Sequence, residues 1–353
     1  MGATHLYAII PTGDKVTFDV ASVDGEVYSI PHGDIAAVVG ASPLENYQDL
    51  KREQAVRYLV NHQCVVEAVM RSFPVLPVKF GTTLPDIPDV RLLLAQGESL
   101  FRATLEKFAG LVQLEVVVLW NLSEVLQEIG QEEPIVQSKA QVMAQGAEAT
   151  ADDRIAIGQM VQASLERRRA MLQEHLLSSL RELALDTVIN PLMDDNMVAN
   201  VALLVDEAGS KALEQRLEAL DEEFGGRLHF RCVGPLPPYS FASVEVQMPS
   251  FEAVDEARKQ LGLGETATLD GIKRAYRGLA GRLHPDHNPD NPDAGARMTA
   301  LTQACNFLTM YAGSLALEEK NAQQAACRFD QQTVEKTLLI AIRRQETLAE
   351  SQH

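Results

Sequence analysis

The C-terminal third of the chain contains the stretch IKRAYRGLAGRLHPD, residues 272–286. At about 100° per residue, its apolar and basic side chains fall on different faces of a helix. The apolar face comprises Ile272, Ala275, Tyr276, Leu279 and Leu283, and the basic face comprises Lys273, Arg274 and Arg277. Thr268 can cap the start of the helix, and Pro285 disfavours its continuation. The pattern predicts an amphipathic helix with one packed face and one positively charged face.

A second amphipathic segment follows the polar loop at residues 286–295. Its apolar residues recur at helical spacing: Met298, Leu301, Ala304, Cys305 and Leu308. Two antiparallel helices joined by a loop that begins His-Pro-Asp resemble the J-domain of Hsp70 co-chaperones. The resemblance covers about residues 255–312, with residues 261–263 at the end of the first short helix. In that family the loop and the basic second helix dock on Hsp70 and trigger ATP hydrolysis there.

The resemblance implies a set of Hsp70-binding residues in this chain. His284 and Asp286 would make polar contacts, Pro285 would fix the loop, and the basic residues would attract an acidic partner. The full set is Lys273, Arg274, Tyr276, Arg277, Arg282, His284, Pro285 and Asp286. The chain departs from the family pattern at Gly278, Gly281 and Leu283, and each mid-helix glycine costs roughly 0.5–1 kcal/mol relative to alanine.

Metal binding is an alternative role for the loop, because four potential ligands crowd it: His284, Asp286, His287 and Asp290. A calcium loop that starts at Asp286 fails, since Asn291 occupies the position that needs glycine and Arg297 that of the bidentate glutamate. A hydrolytic zinc site lacks a third ligand. The chain also has neither a Gly-x-Ser-x-Gly elbow nor a phosphate-binding loop. We therefore expect no metal, no cofactor and no enzymatic activity.

The composition is that of an acidic globular protein. A chain of 353 residues, 46% hydrophobic and 23% charged, is expected to form two or three domains. Its net charge of −18 argues against broad binding of nucleic acid, which needs clustered Lys and Arg. Residues 251–313 contain 7 Lys/Arg and 8 Asp/Glu, so nearly all of the negative charge lies elsewhere. The predicted J-domain is thus electrically distinct.

Cysteine spacing and hydropathy indicate the compartment. The four cysteines are widely spaced and form no CxxC pair, which is typical of buried thiols in a reducing cytoplasm. No apolar run approaches the ~20 residues needed to cross a bilayer, and the N-terminus lacks a signal sequence. We expect a cytoplasmic protein without a membrane partner.

Outside the predicted J-domain, the chain alternates between strand and helix patterns. Strands are predicted at 6–10, 27–30, 35–39 and 114–120, and helices at 48–73, with His62 as a core residue, and at 90–108. Further along, a long helical region at 138–185 precedes strands at 198–205, 228–233 and 243–247 and a helix at 209–224. Beyond the J-domain, 316–326 and 334–349 are helix-prone, with an apolar stripe expected to dock on the protein's own domains: Val334, Leu338, Ala341 and Leu348.

Two segments resemble the signature segments of the gas vesicle protein F/L family. LPVKFGT, residues 76–82, follows the helix that contains His62, and VGPLPPYSF, residues 233–241, follows a strand. The family-motif residues are Pro77, Phe80, Gly81, Gly234, Pro235, Pro237, Pro238, Tyr239 and Phe241, whereas Leu236 stands where the family commonly has Trp. The resemblance covers about residues 4–248. It implies two α+β domains, at least one of them ferredoxin-like, and an accessory role in assembling the gas vesicle shell.

The two resemblances together predict an α+β protein. We expect α+β domains at 1–122 and 123–250, an all-α J-domain at 251–313 and a helical tail at 314–353. The predicted function is gas vesicle assembly: the protein would bind the hydrophobic shell subunit, contact other vesicle accessory proteins and recruit Hsp70. One alternative is a structural docking module of the assembly complex without Hsp70 activity. A metal-dependent hydrolase is the less favoured alternative.

Overall fold

The computed structural model describes residues 3–21, 23, 25–42, 47, 50–146, 150–283, 294–316 and 326–345. The chain divides into two compact units. The first unit comprises Met1–Ala109 and Ala242–Arg343, and the second comprises Gly110–Phe241 with the residues from Arg344 onwards. None of the described helices combines the length and the apolar character that a bilayer crossing demands.

The first unit begins with an antiparallel sheet and two helices. The elements are β1 (Thr4–Ile10), β2 (Thr17–Phe18), β3 (Val27–His32), β4 (Ile35–Ala41), α1 (Arg52–Met70), β5 (Leu76–Pro77), β6 (Thr83–Leu84) and α2 (Ile87–Lys107). The strand order is β2-β3-β4-β1-β5, and β6 also pairs with β1. Asp86 caps α2 by accepting a hydrogen bond from the Asp89 N–H, and the buried face of α2 packs on the sheet. The predicted strands and helices of this region are confirmed.

The second unit has a ferredoxin-like topology. Its elements are β7 (Val112–Trp120), α3 (Leu122–Ile129), α4 (Glu133–Gln145), α5 (Ala151–Arg181), β8 (Asp186–Ile189), β9 (Met197–Val205), α6 (Glu207–Phe224) and β10 (Leu228–Leu236). The four strands are antiparallel in the order β10-β7-β9-β8. Strands and helices thus follow one another as β-α-β-β-α-β, with three helices in the first crossover, which confirms the ferredoxin-like expectation.

The strand predicted at 114–120 lies in a different domain from the one expected. It is β7, the central strand of the second unit, where it pairs with both β9 and β10. Its alternate residues Leu114, Val116, Val118 and Trp120 all join the core of that unit. The strand therefore belongs to the second unit. The sequence could not show this, because an alternating pattern indicates which side of a strand is buried but not which strands pair with it.

The chain then returns to the first unit. The remaining elements are β11 (Ser243–Gln247), α7 (Phe251–Gln260), β12 (Thr266–Ala267), α8 (Leu269–Leu283), α9 (Ala294–Ala316), β13 (Cys327–Arg328), α10 (Gln331–Glu335) and β14 (Leu339–Arg343). The helices α7, α8 and α9 confirm the predicted helical J-domain region. They pack around a core that includes Val254, Ile272, Leu308 and Tyr311.

The tail prediction is wrong at β14, where a helix was expected. Among residues 326–345 the helix is the short α10, and Leu339–Arg343 is a strand that pairs antiparallel with β11. A short apolar run suits a buried strand as well as a helix, so tertiary pairing decides between them. The expected tail residues 317–325 and 346–353 lie outside the described residues.

Strand β14 and the residue before it join two hydrophobic cores. Leu338 and Ile340 pack in the core beneath the N-terminal sheet, while Leu339 packs in the core of the J-domain helices. The Leu338 N–H donates to Gln96 Oε1 on α2 at 3.4 Å, and the Ile340 N–H donates to Ser314 Oγ on α9 at 3.1 Å. The tail thus completes the first unit rather than extending from it.

Substitution of two neighbouring leucines tests the two core contacts of this segment separately. We expect Leu338→Ala and Leu339→Ala each to lower local stability by about 2–4 kcal/mol, because each truncation leaves a cavity in a buried core. Amide hydrogen exchange should show the largest loss of protection in the N-terminal sheet for Leu338→Ala and in α7 and α9 for Leu339→Ala. The exposed control Leu185→Ala should change stability by less than about 0.5 kcal/mol. Unchanged exchange in both core variants would contradict the shared strand.

Candidate interaction sites

The exposed face of α8 is positively charged. Lys273, Arg274, Arg277 and Arg282 are all exposed. Two of these side chains lie along the helix: Arg274 Nε donates to the Asp270 carbonyl at 3.4 Å, and Arg277 Nε donates to the Lys273 carbonyl at 3.3 Å. The helix therefore presents a row of guanidinium and ammonium groups to solvent.

Tyr276 holds α8 against α9. Its side chain is half-buried, and its hydroxyl lies 3.2 Å from Thr302 Oγ1 on α9. The hydroxyl contact anchors α8 to α9, and the Hsp70 contact that the sequence suggested for Tyr276 stays a prediction. The other predicted binding residues of the loop, His284, Pro285 and Asp286, lie outside the described residues.

The described part of the tail leaves the basic face open. Tyr311 Oη donates to the Arg328 carbonyl at 2.6 Å, and Cys327 Sγ donates to the Ala267 carbonyl at 2.8 Å. These contacts, with the packing of α10 on α7 and of β14 on α9, place the described tail on the other helices. The basic side chains of α8 remain exposed beside it.

The motif at residues 76–82 runs along β1 in the first unit. The Val78 N–H donates to the Tyr7 carbonyl at 2.9 Å, and the Leu6 N–H donates to the Thr82 carbonyl at 3.0 Å. Pro77 is buried opposite Ala8. Gly81 has φ +84°, and a Cβ there would come within 3.3 Å of the Tyr47 Cβ, so glycine suits both its backbone and its surroundings.

Behind this motif, two buried histidines form a directed hydrogen-bond chain. His62 Nε2 lies 3.1 Å from the Val78 carbonyl, so it carries the proton and donates. His62 Nδ1 is then the acceptor for His5 Nε2–H at 2.9 Å. Phe80 closes the group, with its ring centroid 5.7 Å from that of His62. His62 is the core residue that the helix pattern predicted, whereas no pattern around His5 marked it.

Burial keeps both imidazoles neutral. It lowers the pKa of His5 to about 3, with the neighbouring His62 adding to the effect. It also lowers the pKa of His62 to about 4, although the hydrogen bond to Val78 acts in the opposite direction. The pair is therefore a fixed arrangement of hydrogen-bond donors and acceptors at neutral pH rather than a pair of charges.

The motif at residues 233–241 shapes the exit from β10 in the second unit. Gly234 has φ +147°, and a Cβ there would lie 2.5 Å from Leu114 Cδ2 and 2.9 Å from the Gln113 carbonyl oxygen. The register of β10 against β7 shifts between Val233 and Leu236. The Ser240 N–H donates to Gln113 Oε1 at 2.9 Å. Glycine is thus required where β10 bends closely over β7.

The other residues of this motif divide between buried and exposed positions. Pro237, Pro238 and Phe241 are buried, Tyr239 is half-buried, and Pro235 is exposed. Each of the two motifs therefore consists mainly of residues that build its own unit, with few side chains presented to solvent.

Comparison with known proteins identifies both parts of the chain. The family model of the gas vesicle synthesis protein GvpL/GvpF matches residues 3–243. The chain belongs to the GvpL/GvpF family. A DnaJ domain model matches residues 259–311, the region of α8 and α9. This GvpL/GvpF protein therefore carries a J-domain between β11 and β14.

Individual relatives match the same two parts of the chain. Gas vesicle protein F of Microcystis aeruginosa is 25% identical over 244 residues, which cover 68% of this chain and 98% of the relative. Chaperone protein DnaJ 2 of Mycolicibacterium paratuberculosis is 55% identical over 51 residues, 14% of this chain and 13% of that protein. The crystal structure of GvpF from Anabaena covers 68% of this chain and 98% of its own, with a TM-score of 0.58 and 24% identity.

The metal alternative has no support within the described ranges. No three His, Cys, Asp or Glu side chains there come together as a metal site. The four potential ligands of the loop at residues 284–290 are not among the described residues.

The neutral histidine pair predicts a pH dependence of stability. In the unfolded chain each histidine has a pKa near 6.5 and takes up a proton below that pH, whereas in the folded chain His62 does so only near pH 4 and His5 only near pH 3. Stability should therefore fall as the pH drops from 6.5 towards 4, by up to about 1.4 kcal/mol per pH unit for each histidine.

Urea unfolding at pH 7.5 and pH 5.5 measures this effect. The double variant His5→Phe with His62→Phe should lose less stability between the two pH values than the wild type. The control His229→Gln, which removes an exposed histidine, should retain the full dependence. An equal loss in the wild type and the double variant would exclude the pair as the source.

Proposed function

We propose that this protein is an accessory factor of gas vesicle assembly that binds the hydrophobic shell subunit and recruits Hsp70 to it. The observation that carries the proposal is the exposed basic face of α8, on a J-domain enclosed within a GvpL/GvpF chain. Hsp70 is the partner that a J-domain implies, and vesicle proteins are the partners that the family implies. The proposed place of action is the cytoplasm, at the growing vesicle.

The structure of a gas vesicle explains why shell-subunit binding and Hsp70 recruitment would be combined in one protein. Subunits that enclose gas must present strongly apolar surface on one side, and such surface aggregates before assembly unless it is covered. In the proposed mechanism the GvpL/GvpF portion holds the subunit while the J-domain brings an ATP-driven chaperone to it. The basic residues of α8 steer the acidic face of Hsp70, and the His284-Pro285-Asp286 loop makes the close contacts.

The alternative without Hsp70 activity is favoured by the two glycines of α8. A Cβ at Gly278 or Gly281 would meet no atom within 4 Å, so packing does not require glycine at either position. Both residues weaken the helix by roughly 0.5–1 kcal/mol relative to alanine. This alternative treats the J-domain as a docking module in which the strength of the Hsp70-binding helix is unimportant.

Hsp70 ATPase measurements separate the two candidates. Asp286→Asn should abolish stimulation of the host Hsp70, because a neutral amide does not replace a carboxylate facing a cationic partner. Lys273→Ala with Arg277→Ala should weaken docking, most strongly at low salt. The matched control Arg91→Ala with Lys107→Ala removes two exposed charges from α2 and should leave stimulation unchanged. A wild-type protein that gives no stimulation would leave only the docking module.

Shell-subunit binding requires its own experiment, with the full chain because β14 completes the first unit. The protein should keep the purified small shell protein soluble after dilution from denaturant, as followed by light scattering and sedimentation. An unrelated acidic protein at equal concentration serves as the control. Aggregation as fast as in buffer, together with no capture of the shell protein, would contradict this part of the proposal.

A further inference from the structure

Helix α1 carries an exposed aliphatic stripe. Val56, Leu59 and Val60 are 52%, 45% and 51% exposed, respectively. Their spacing of three and four residues groups them on one side of the helix, with Leu59 next to the buried face that His62, Val65, Val66 and Val69 form. Three branched aliphatic side chains grouped in this way form a ready contact surface, unlike single exposed apolar residues.

A polar cavity adjoins this stripe. It has a volume of about 370 Å³, and its walls include Tyr7, Ser42, Tyr47, Arg57, Tyr58 and Asn61, together with the two buried histidines. Arg57 and Asn61 lie on the flank of α1 next to Val56 and Val60, so the cavity and the stripe are continuous along one helix. Tyrosine and arginine are also the residues that most often anchor protein interfaces.

His5, one of the residues that line the cavity, has a buried acceptor without a donor. Because His5 donates through Nε2 to His62, its Nδ1 carries a lone pair. Within the part of the chain that the structure describes, that atom has no hydrogen-bond partner, although His5 is only 3% exposed. An unsatisfied buried acceptor is destabilising, so a group that donates a hydrogen bond to this nitrogen would stabilise the folded protein.

The other hydrogen-bonding groups in the cavity wall indicate which class of ligand would fit. With both imidazoles neutral, Arg57 is the charged residue of the lining, and its guanidinium offers donors to an oxygen. A group that donates to His5 Nδ1 and accepts from Arg57 or Asn61 combines an N–H with a carbonyl. An amide has both, and a polypeptide repeats it at each residue. Aliphatic side chains beside that amide would cover the stripe on α1.

We propose that the outer face of α1 and the adjoining cavity form the docking site for an apolar peptide segment of the gas vesicle shell subunit. This inference rests on the proposed function, which supplies a partner with the required apolar chemistry. The segment places an amide group in the cavity and its aliphatic side chains across Val56, Leu59 and Val60. The site lies in the same unit as the J-domain, so client and chaperone meet on one unit of the protein.

Binding of the purified small shell protein to immobilised full-length protein tests the site. The stripe variant Val56→Ser, Leu59→Ser, Val60→Ser should bind at least tenfold more weakly than the wild type. Arg57→Ala should also weaken binding. The control variant Leu185→Ser, Met193→Ser removes exposed apolar side chains from the other unit and should bind as the wild type does. A circular dichroism spectrum and a urea unfolding curve like those of the wild type show that the stripe variant remains folded.

The outcomes distinguish this inference from the proposed function. A wild-type protein that fails to bind the shell protein overturns the proposed function and the docking site with it. A wild-type protein that binds, with a stripe variant that binds equally well, overturns the docking site alone. Light scattering of the protein by itself provides a further check. If the wild type is a dimer and the stripe variant is a monomer that still binds the shell protein, the stripe pairs two copies of this chain. The inference is then wrong.

Discussion

The pairing of β14 with β11 is the interaction on which the rest of the first unit depends. It brings the end of the described chain back to a strand that precedes the J-domain, so that the J-domain is held at both ends. The side chains around β14 serve two cores, with Leu338 and Ile340 in one and Leu339 in the other. The J-domain of this protein is therefore built into the GvpL/GvpF portion instead of hanging from a linker.

The two family motifs have a structural role within their own units. Each sits where the backbone passes closely over a neighbouring strand or ring, at Gly81 beside Tyr47 and at Gly234 over Leu114. These positions constrain the unit's own geometry, and the partner surfaces proposed above lie elsewhere, on α8 and on α1. Motifs that identify a family do not have to be its binding sites.

Sequence patterns predicted the parts of this fold that depend on local periodicity. The apolar face of α8 and the strands of the N-terminal sheet were predictable because each pattern records one buried side. The strand partners of β7 and the strand conformation of β14 were not predictable from the sequence, since both depend on pairing between distant residues. His5 was missed because its role comes from contact with His62, 57 residues away. The His284-Pro285-Asp286 loop was recognised from sequence and lies outside the described residues.

The late position of β14 in the chain also determines when each unit becomes complete during translation. The second unit is nearly continuous in sequence, so most of it emerges from the ribosome before the J-domain is made. The first unit must wait for residues 338–343, which follow the J-domain in the chain, before either of its cores closes. A nascent chain that lacks β14 would thus hold a nearly complete ferredoxin-like unit while the core of the J-domain helices still lacks Leu339.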